Sequence, residues 1–215
     1  MEIRGVLFDM DGVLVDSEEY INQAAITMFK EKGLVVKPED FLPFVGAGED
    51  RYLGGVAEKY NFPIDIEKDK ARTYKIYEKI VKDELHPLKG VLAFIEKCKK
   101  RNLKLAVATS ADKTKMEINL RESGIDPNNF QALINGNHVQ NKKPDPEIYL
   151  LAAEKIDILP ENCLVVEDAV NGVEAAKRAG AKCLALTTSF NKRELSDADW
   201  IAADLSDAPD ESIEW

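Results

Sequence analysis

The segment VLFDMDGVLVDS, residues 6–17, decides the fold, because an apolar run and a set of acidic residues meet in it. Its apolar start is typical of a strand that is covered on both faces. Asp9 and Asp11 follow this run, and Asp16 lies a few positions further on. Since residues two apart on an extended chain point the same way, Asp9 and Asp11 share one side while Met10 points to the other. The segment therefore predicts a strand whose carboxyl end presents two carboxylates together.

Apolar runs of similar length recur along the chain and alternate with helical patterns. The runs predict five strands, at residues 3–8, 103–109, 130–136, 163–168 and 181–187. Helices are predicted at residues 88–101, 111–123, 145–156 and 170–179. Gly124 and Gly180 stand where two of these helices should end. This alternation indicates βαβ units, so we expect an α/β fold with a doubly wound, Rossmann-like parallel sheet that is covered by helices on both faces.

Residues 18–84 break this rhythm, because they contain helical patterns and no candidate strand. We therefore expect an all-helical cap subdomain that is inserted after the first strand. Its predicted bounds are residues 17–84, and residues 1–16 and 85–215 together form the predicted core. The acidic C-terminal segment, residues 204–215, is expected to be a solvated end.

Composition limits the classes of partner. The formal net charge of −10 and the isoelectric point near 4.9 argue against a nucleic-acid footprint, because nucleic acids are bound by basic patches. No apolar run approaches the roughly 18 residues that a membrane span needs. The cysteines Cys98, Cys163 and Cys183 form no CxxC pair, which suits a reducing compartment. We therefore expect a cytoplasmic monomer that acts on a small molecule, with neither nucleic acid nor a membrane as partner.

Polar side chains collect where the predicted strands end or a helix begins: Asp9, Asp11, Thr109, Ser110, Lys143, Glu167 and Asp168. In open α/β sheets, ligands bind outside the carboxyl ends of the strands. Two like charges about 4 Å apart repel by about 4 kcal/mol at an effective dielectric of 20, so clustered carboxylates require raised pKa values or a cation. An oxygen-only site with few protein ligands suits Mg²⁺, which often takes an oxygen of a substrate phosphate. The residues therefore predict a Mg²⁺ site for a phosphorylated molecule.

These side chains also predict a reaction, the transfer of a phosphoryl group to a carboxylate and then to water. Asp9 is the predicted nucleophile, because a carboxylate beside a metal ion can attack phosphorus. Asp11 is the predicted general acid and base, which protonates the leaving oxygen and then deprotonates water. The Thr109 hydroxyl and backbone N–H, with the Lys143 ammonium, are predicted to bind the phosphoryl oxygens. Thr109 is preferred over Ser110 because it holds the last position of its strand.

Four motifs resemble, in this order, those of the haloacid dehalogenase superfamily of phosphatases: DMDGV at 9–13, VATS at 107–110, KKPDPEIY at 142–149 and VVEDAVNGVEAAKRAG at 165–180. The resemblance covers nearly the whole chain. It implies the same roles for the nucleophile, the acid and base and the phosphate ligands. It also implies that Mg²⁺ is held by Asp9, Asp168 and the backbone carbonyl of Asp11, with Glu167 as a direct or water-bridged ligand.

The resemblance also extends to substrate binding and to the cap. The candidate substrate- and phosphate-binding residues are Gly12, Arg51, Thr109, Ser110 and Lys143. The context KPDPE favours Lys143 over its neighbour Lys142. The helical insertion resembles the cap of this family, which closes over the site, with hinges near residues 16–18 and 85–87.

Within the superfamily the chain is most similar to the beta-phosphoglucomutase-like branch, which holds mutases and small-metabolite phosphatases. Mutases of this branch typically carry a histidine where this chain has Ile21 and a cap arginine where it has Glu49, with Arg51 two positions later. Loss of that cation weakens the case for a second phosphate in the cap. We therefore expect a Mg²⁺-dependent phosphomonoesterase for a small phosphorylated metabolite, a sugar phosphate. The alternatives are a beta-phosphoglucomutase-type isomerase and a non-catalytic phosphoacceptor receiver.

Overall fold

The computed structural model describes residues 2–46 and 48–215 and contains one parallel sheet. Its strands are β1 Gly5–Phe8, β2 Lys104–Ala108, β3 Ala132–Ile134, β4 Cys163–Glu167, β5 Lys182–Leu186 and β6 Trp200–Ala202. All neighbouring strands are parallel, in the order β3-β2-β1-β4-β5-β6. The five predicted strands and the doubly wound α/β fold are confirmed.

Seven helices accompany this sheet in the described residues, joined by short 3-10 turns. They are α1 Glu18–Glu31, α2 Glu49–Lys59, α3 Ile66–Val81, α4 Val91–Lys100, α5 Lys113–Ser123, α6 Glu147–Lys155 and α7 Val170–Arg178. The four helices predicted for the core correspond to α4 to α7, each shorter than its sequence pattern by one to three residues at an end. Such differences arise because the end residues of a helix pattern cap the helix and do not extend it.

Each central strand is buried on both faces, and its side chains alternate between two apolar layers. Val6 and Phe8 of β1 point into the layer that contains α4, α5 and the cap helices, where the Phe8 ring lies edge-on to those of Phe94 and Phe130. Leu7 points into the opposite layer, against α6 and α7. Double burial explains why the strands read as continuous apolar runs.

Helices α1 to α3 form a cap between β1 and β2, as the break in rhythm predicted. The two segments that join cap and core run side by side, since Val15 pairs with Pro87 and the Leu88 N–H donates to the Leu14 carbonyl at 2.9 Å. Both lie beside the predicted hinges. The inserted helical cap is confirmed, whereas its bounds at residues 17 and 84 stay a prediction.

Two features of the C-terminal third differ from expectation. A sixth strand, β6, adds to β5; it is only three residues long and half-buried at the sheet edge, so it lacks the apolar run of the others. The prediction of a solvated C-terminal end is wrong. Ser212 and Ile213 are buried, and the Ile3 N–H donates to the Trp215 carbonyl at 2.9 Å. The apolar residues between the acids of this segment cover the edge of the core.

Membrane-crossing helices are absent from the part of the chain that the structure describes, because no helix there is long and apolar enough. The three cysteines are all buried and free. Neither finding contradicts the expectations drawn from composition.

Candidate active site

The strand order reverses between β1 and β4, and a cavity of about 410 Å³ opens there between the sheet edge and the cap. All the polar residues predicted at strand ends line it: Asp9, Asp11, Thr109, Ser110, Lys143, Glu167 and Asp168. Gly12 lines it as well. The cap reaches down to this edge, since a Cβ built on Gly48 would lie 3.8 Å from the Ser110 carbonyl oxygen. Residues from four distant parts of the sequence therefore share one enclosed space.

Asp9 stands directly after β1 and is buried at the floor of the cavity. Its backbone N–H donates to the Val166 carbonyl of β4 at 3.0 Å, which fixes the main chain. Its Oδ1 accepts a hydrogen bond from the Lys143 ammonium at 2.5 Å, and no donor among the described residues reaches Oδ2. Burial of the Asp9 carboxyl and the negative charge of the nearby Glu167 together outweigh the attraction of Lys143, and they raise the pKa of Asp9 to about 7. One carboxylate oxygen is thus held and the other is left for a ligand.

Glu167 is the partner that holds Lys143 in place. The Lys143 ammonium donates to Glu167 Oε1 at 2.7 Å and lies 4.8 Å from the centre of the Tyr149 ring. The Tyr149 hydroxyl and the backbone N–H groups of Asp168 and Ala169 also donate to Glu167, at 2.8, 2.8 and 2.9 Å. Both oxygens of Glu167 are therefore engaged by protein donors, and its role as a direct or water-bridged metal ligand stays a prediction.

The charges of this pair follow from the same contacts. Burial alone would lower the pKa of Lys143, but the Asp9 and Glu167 carboxylates outweigh it and raise that pKa. Burial would likewise raise the pKa of Glu167, yet the Lys143 charge and hydrogen bond outweigh it and lower that pKa. Lys143 is thus held as an ammonium and Glu167 as a carboxylate.

Asp168 follows β4 and lies against the loop after β1. Its Oδ2 accepts a hydrogen bond from the Ser189 hydroxyl. Gly12 has φ +77°, and a Cβ built on it would collide with the Asp168 carboxylate, so the two are in close contact. Burial raises the pKa of Asp168 well above its usual value, and the Glu167 and Asp9 carboxylates raise it further. The pair Asp9 and Asp168 therefore carries more negative charge than the surrounding protein neutralises.

This surplus fits a divalent cation. No three histidine, cysteine, aspartate or glutamate side chains within residues 2–46 and 48–215 form a complete metal-binding group. Mg²⁺ does not need such a group, because it keeps several waters and binds through one or two carboxylates. Asp9 and Asp168 supply two carboxylates, and Lys143 cannot neutralise both since it is shared with Glu167. The residues present fit the predicted ion.

Asp11 faces away from Lys143, toward α5. Its carboxylate accepts hydrogen bonds from the Ser17 hydroxyl, the Lys115 ammonium at 2.9 Å and the Asn119 amide at 3.2 Å. The Tyr77 hydroxyl of the cap helix α3 donates to the Asn119 Oδ1 at 2.5 Å. Lys115 and Asn119 were missed from the sequence. Their spacing of four on one helix, which places both on one face, was the signal that could have found them.

Thr109 lines the cavity, and its hydroxyl, but not its backbone N–H, is available to a ligand. Its N–H donates to the Ile134 carbonyl of β3 at 3.0 Å, so the predicted contact of that N–H with phosphate is wrong. The Thr109 Oγ1 accepts a hydrogen bond from the Ala111 N–H at 3.1 Å, which leaves the hydroxyl proton for a ligand. The ladder between the second and third strands continues one residue beyond Ala108, the last residue of β2, and this hydrogen bond uses the Thr109 N–H.

The remaining predicted binding residues divide between cavity and surface. Lys142 donates to the Gly136 carbonyl, so Lys143 is the lysine of this pair that reaches Asp9, as preferred. Arg51 does not line the cavity; it is exposed, pairs with Glu58 at 2.7 Å and lies over the Phe44 ring. Among residues 2–46 and 48–215, the basic side chains that line the cavity are Lys115 and Lys143.

A sequence profile of the haloacid dehalogenase-like hydrolase family matches residues 6–186. The chain belongs to this family. The prediction of a haloacid dehalogenase-like enzyme, made from the four motifs, is therefore confirmed.

Two proteins are similar in sequence to this chain over most of its length. The protein SUPPRESSOR OF QUENCHING 1, chloroplastic, of Arabidopsis thaliana is 40% identical over 92% of this chain, and this chain spans only 19% of that protein's length. A phosphorylated carbohydrates phosphatase of Thermotoga maritima is 33% identical over 83% of this chain and 82% of its own.

The fold is shared with a beta-phosphoglucomutase. The crystal structure of that enzyme from Clostridium difficile superposes with a TM-score of 0.84, covering 98% of this chain and 95% of the other, at 22% identity. The likeness agrees with the predicted branch of the family at the level of the fold.

Proposed function

We propose that this haloacid dehalogenase-like chain is a Mg²⁺-dependent phosphomonoesterase that acts on a small phosphorylated metabolite, a sugar phosphate. The observation that carries the proposal is the setting of Asp9, which is buried at the end of β1, held at one oxygen by Lys143 and open at the other. A nucleophile requires this combination of fixed direction and free lone pair.

In the first step, Asp9 attacks phosphorus through its free oxygen, and the bond from phosphorus to the alcohol oxygen breaks. Asp11 donates a proton to that leaving oxygen. Lys143 and the Thr109 hydroxyl bind the equatorial oxygens, where negative charge accumulates. The product of this step is an aspartyl phosphate on Asp9 and a free alcohol.

In the second step, Asp11 takes a proton from water, and the water oxygen bonds to phosphorus as the bond to Asp9 breaks. Inorganic phosphate leaves and Asp9 is regenerated. Asp9, Asp168 and the backbone carbonyl of Asp11 would hold Mg²⁺, which supplies positive charge against the phosphoryl oxygens when bound.

Two observations support hydrolysis of a sugar phosphate over its isomerisation. The Thermotoga maritima relative is named a phosphorylated carbohydrates phosphatase. A mutase must hold a second phosphate in the cap, but Arg51 points away from the cavity and Glu49 lines it. A receiver role has no such support, since a receiver needs no cap.

The proposal is tested by replacing Asp9 with Asn and measuring turnover of p-nitrophenyl phosphate with Mg²⁺. We expect D9N to lose at least about 10³-fold in kcat, because the amide is a poor nucleophile for phosphorus. Asp197 is exposed and provides the matched control, D197N, which should behave as wild type. Retained turnover in a folded D9N protein would refute the nucleophile.

We also propose that the protein is monomeric and cytoplasmic. Its cysteines are buried and unpaired with one another, as expected in a reducing compartment.

A further inference from the structure

Glu49 is a buried carboxylate whose hydrogen-bonding capacity the protein leaves unused. It is the first residue of α2, it lines the cavity, and it is 8% exposed. Its Oε2 is buried and has no hydrogen-bond partner among the described residues. Its Oε1 lies 3.6 Å from the Lys115 ammonium, which donates to Asp11 instead, at 2.9 Å. Because buried polar groups are nearly always hydrogen-bonded, this carboxylate is a candidate for contact with a ligand.

The position of Glu49 places it on the leaving-group side of the reaction. Lys115 stands between Glu49 of the cap and Asp11 of the core, so the two carboxylates flank one ammonium. Asp11 is the proposed acid for the leaving oxygen. A leaving group that receives its proton from Asp11 therefore extends toward Glu49 and the cap.

Charge limits what that leaving group can carry. Asp16, Glu18 and Glu49 add three acidic side chains to the lining on this side. The lysines that line the cavity in residues 2–46 and 48–215 are Lys115 and Lys143, and each lies within ion-pair distance of two carboxylates. Among the residues that the structure describes, no cation lining the cavity is left to bind a second phosphate or a carboxylate, whereas hydroxyl groups can donate to the acidic oxygens.

We propose that Glu49 is a specificity-determining residue, which accepts a hydrogen bond from a hydroxyl of an uncharged polyol or sugar leaving group and disfavours substrates with a second anionic group. This inference rests on the proposed phosphomonoesterase function and narrows its substrate class.

The test compares three substrates of matched length: a hexitol 6-phosphate, hexyl phosphate, which lacks the hydroxyls, and a hexitol 1,6-bisphosphate. The readout is the ratio of kcat/KM values. In wild type we expect kcat/KM for the hexitol phosphate to be at least about tenfold higher than for each of the other two substrates. Tenfold is the effect of one hydrogen bond to a charged group. In E49A the hexitol-to-hexyl ratio should fall by about tenfold.

A conservative variant separates the hydrogen bond from the charge. E49Q keeps the volume and an acceptor oxygen, so it should retain most of the hexitol-to-hexyl ratio and turn over the bisphosphate relatively better. Glu58 lies on the same helix α2, is exposed, and supplies the matched control E58A, which should leave all ratios unchanged. Equal loss on all three substrates in E49A, or no change in any ratio, would overturn the proposal.

A binding measurement separates this inference from the proposed function. Hexitol 6-phosphate and hexyl phosphate are titrated calorimetrically into D9N and into the double variant D9N/E49A, both without turnover. We expect E49A in the D9N background to raise the Kd of the hexitol phosphate by about tenfold and to leave the Kd of hexyl phosphate unchanged. If wild type hydrolyses nothing but this difference persists, the phosphatase proposal fails alone; if D9N binds the two ligands equally, the Glu49 proposal fails.

Discussion

The Asp11 carboxylate is held by donors from two parts of the chain, Ser17 before α1 and Lys115 and Asn119 on α5. Three donors restrict the side chain to one direction, so it points into the cavity without being drawn to Lys143. Lys115 is buried and is the one charged donor of the three. The side chain of the proposed acid is thus held by a lysine that lies outside the four motifs.

Replacing Lys115 with Met should impair leaving-group protonation. We expect K115M to lower kcat/KM for an alkyl phosphate about tenfold more than for p-nitrophenyl phosphate, because p-nitrophenolate leaves without a proton. Steady-state kinetics on both substrates measure this. Lys113 on the same helix is largely exposed and gives the control K113M. An equal loss on both substrates would contradict the assigned role.

A second prediction concerns Gly12, where positive φ and close packing coincide. G12A should push the Asp168 carboxylate away, so we expect about tenfold more Mg²⁺ for half-maximal activity and a loss of about 1–3 kcal/mol in the free energy of unfolding. Gly33 has φ +89° with no atom within 4 Å of a built Cβ, so G33A isolates the backbone strain. If G12A, like G33A, reaches half-maximal activity at the wild-type Mg²⁺ concentration, the predicted displacement of Asp168 is wrong.

At the scale of elements, the cap is fastened by a carboxylate between two of its segments. Asp40 ends the 3-10 turn Pro38–Asp40 and accepts hydrogen bonds from the Lys59 ammonium and the Tyr60 hydroxyl, at 2.5 and 2.6 Å, and from the Lys37 N–H at 2.8 Å. Lys59 and Tyr60 close the C-terminal end of α2. One buried side chain therefore joins the segment between α1 and α2 to the C-terminal end of α2.

These contacts predict a pH dependence of stability. The hydrogen bonds from Lys59, Tyr60 and Lys37 lower the pKa of Asp40 to about 2, below its unfolded value near 3.8. Its contribution is therefore fully present above about pH 4 and is lost as the pH falls toward 2. We expect D40N to unfold more easily than wild type at pH 7 by about 1–2 kcal/mol, with a smaller difference near pH 2.

Urea unfolding at several pH values measures this difference. The exposed neighbour Glu39 gives the control E39Q, which should follow wild type throughout. A constant difference between D40N and wild type across the whole range would show that the ionised form of Asp40 is not what stabilises the cap.

In the molecule as a whole, an ion pair joins the cap to the core beside the loop that follows β2. Lys70 of α3 pairs with Asp112 of the core at 3.0 Å and with Asp50 of α2 at 2.5 Å. Asp112 is the N-cap residue directly before α5, three residues after Thr109. The cap is therefore tied to the loop that carries Thr109 and Ser110, the proposed phosphate-binding residues.

Breaking this contact should make the cap close less well. We expect K70M to raise KM two- to fivefold with little change in kcat, in line with about 1 kcal/mol for a partly exposed pair. Steady-state kinetics at two salt concentrations measure this effect, which should shrink at high salt. Lys68 pairs with Asp65, which also belongs to the cap, so K68M is the control. A larger effect of K68M would contradict the coupling.

Local sequence was enough to find five of the six strands of the sheet, the inserted cap and the polar residues at the strand ends. Apolar runs, helix periodicity and turn residues act over a few positions, and in a parallel sheet the end of every strand lies at the same edge. Asp9, Thr109, Lys143 and Asp168 could therefore be assigned to one site without coordinates.

Packing decided which side chains meet inside that site. Lys115, and not Arg51, faces the proposed acid, because the direction of each side chain depends on how α5 and α2 lie against the core. Glu167 accepts a hydrogen bond from Lys143, and the Thr109 N–H donates to the Ile134 carbonyl. In both cases the partner comes from a part of the chain that is distant in sequence. Such contacts depend on helix placement to within an ångström, and no short-range pattern encodes that.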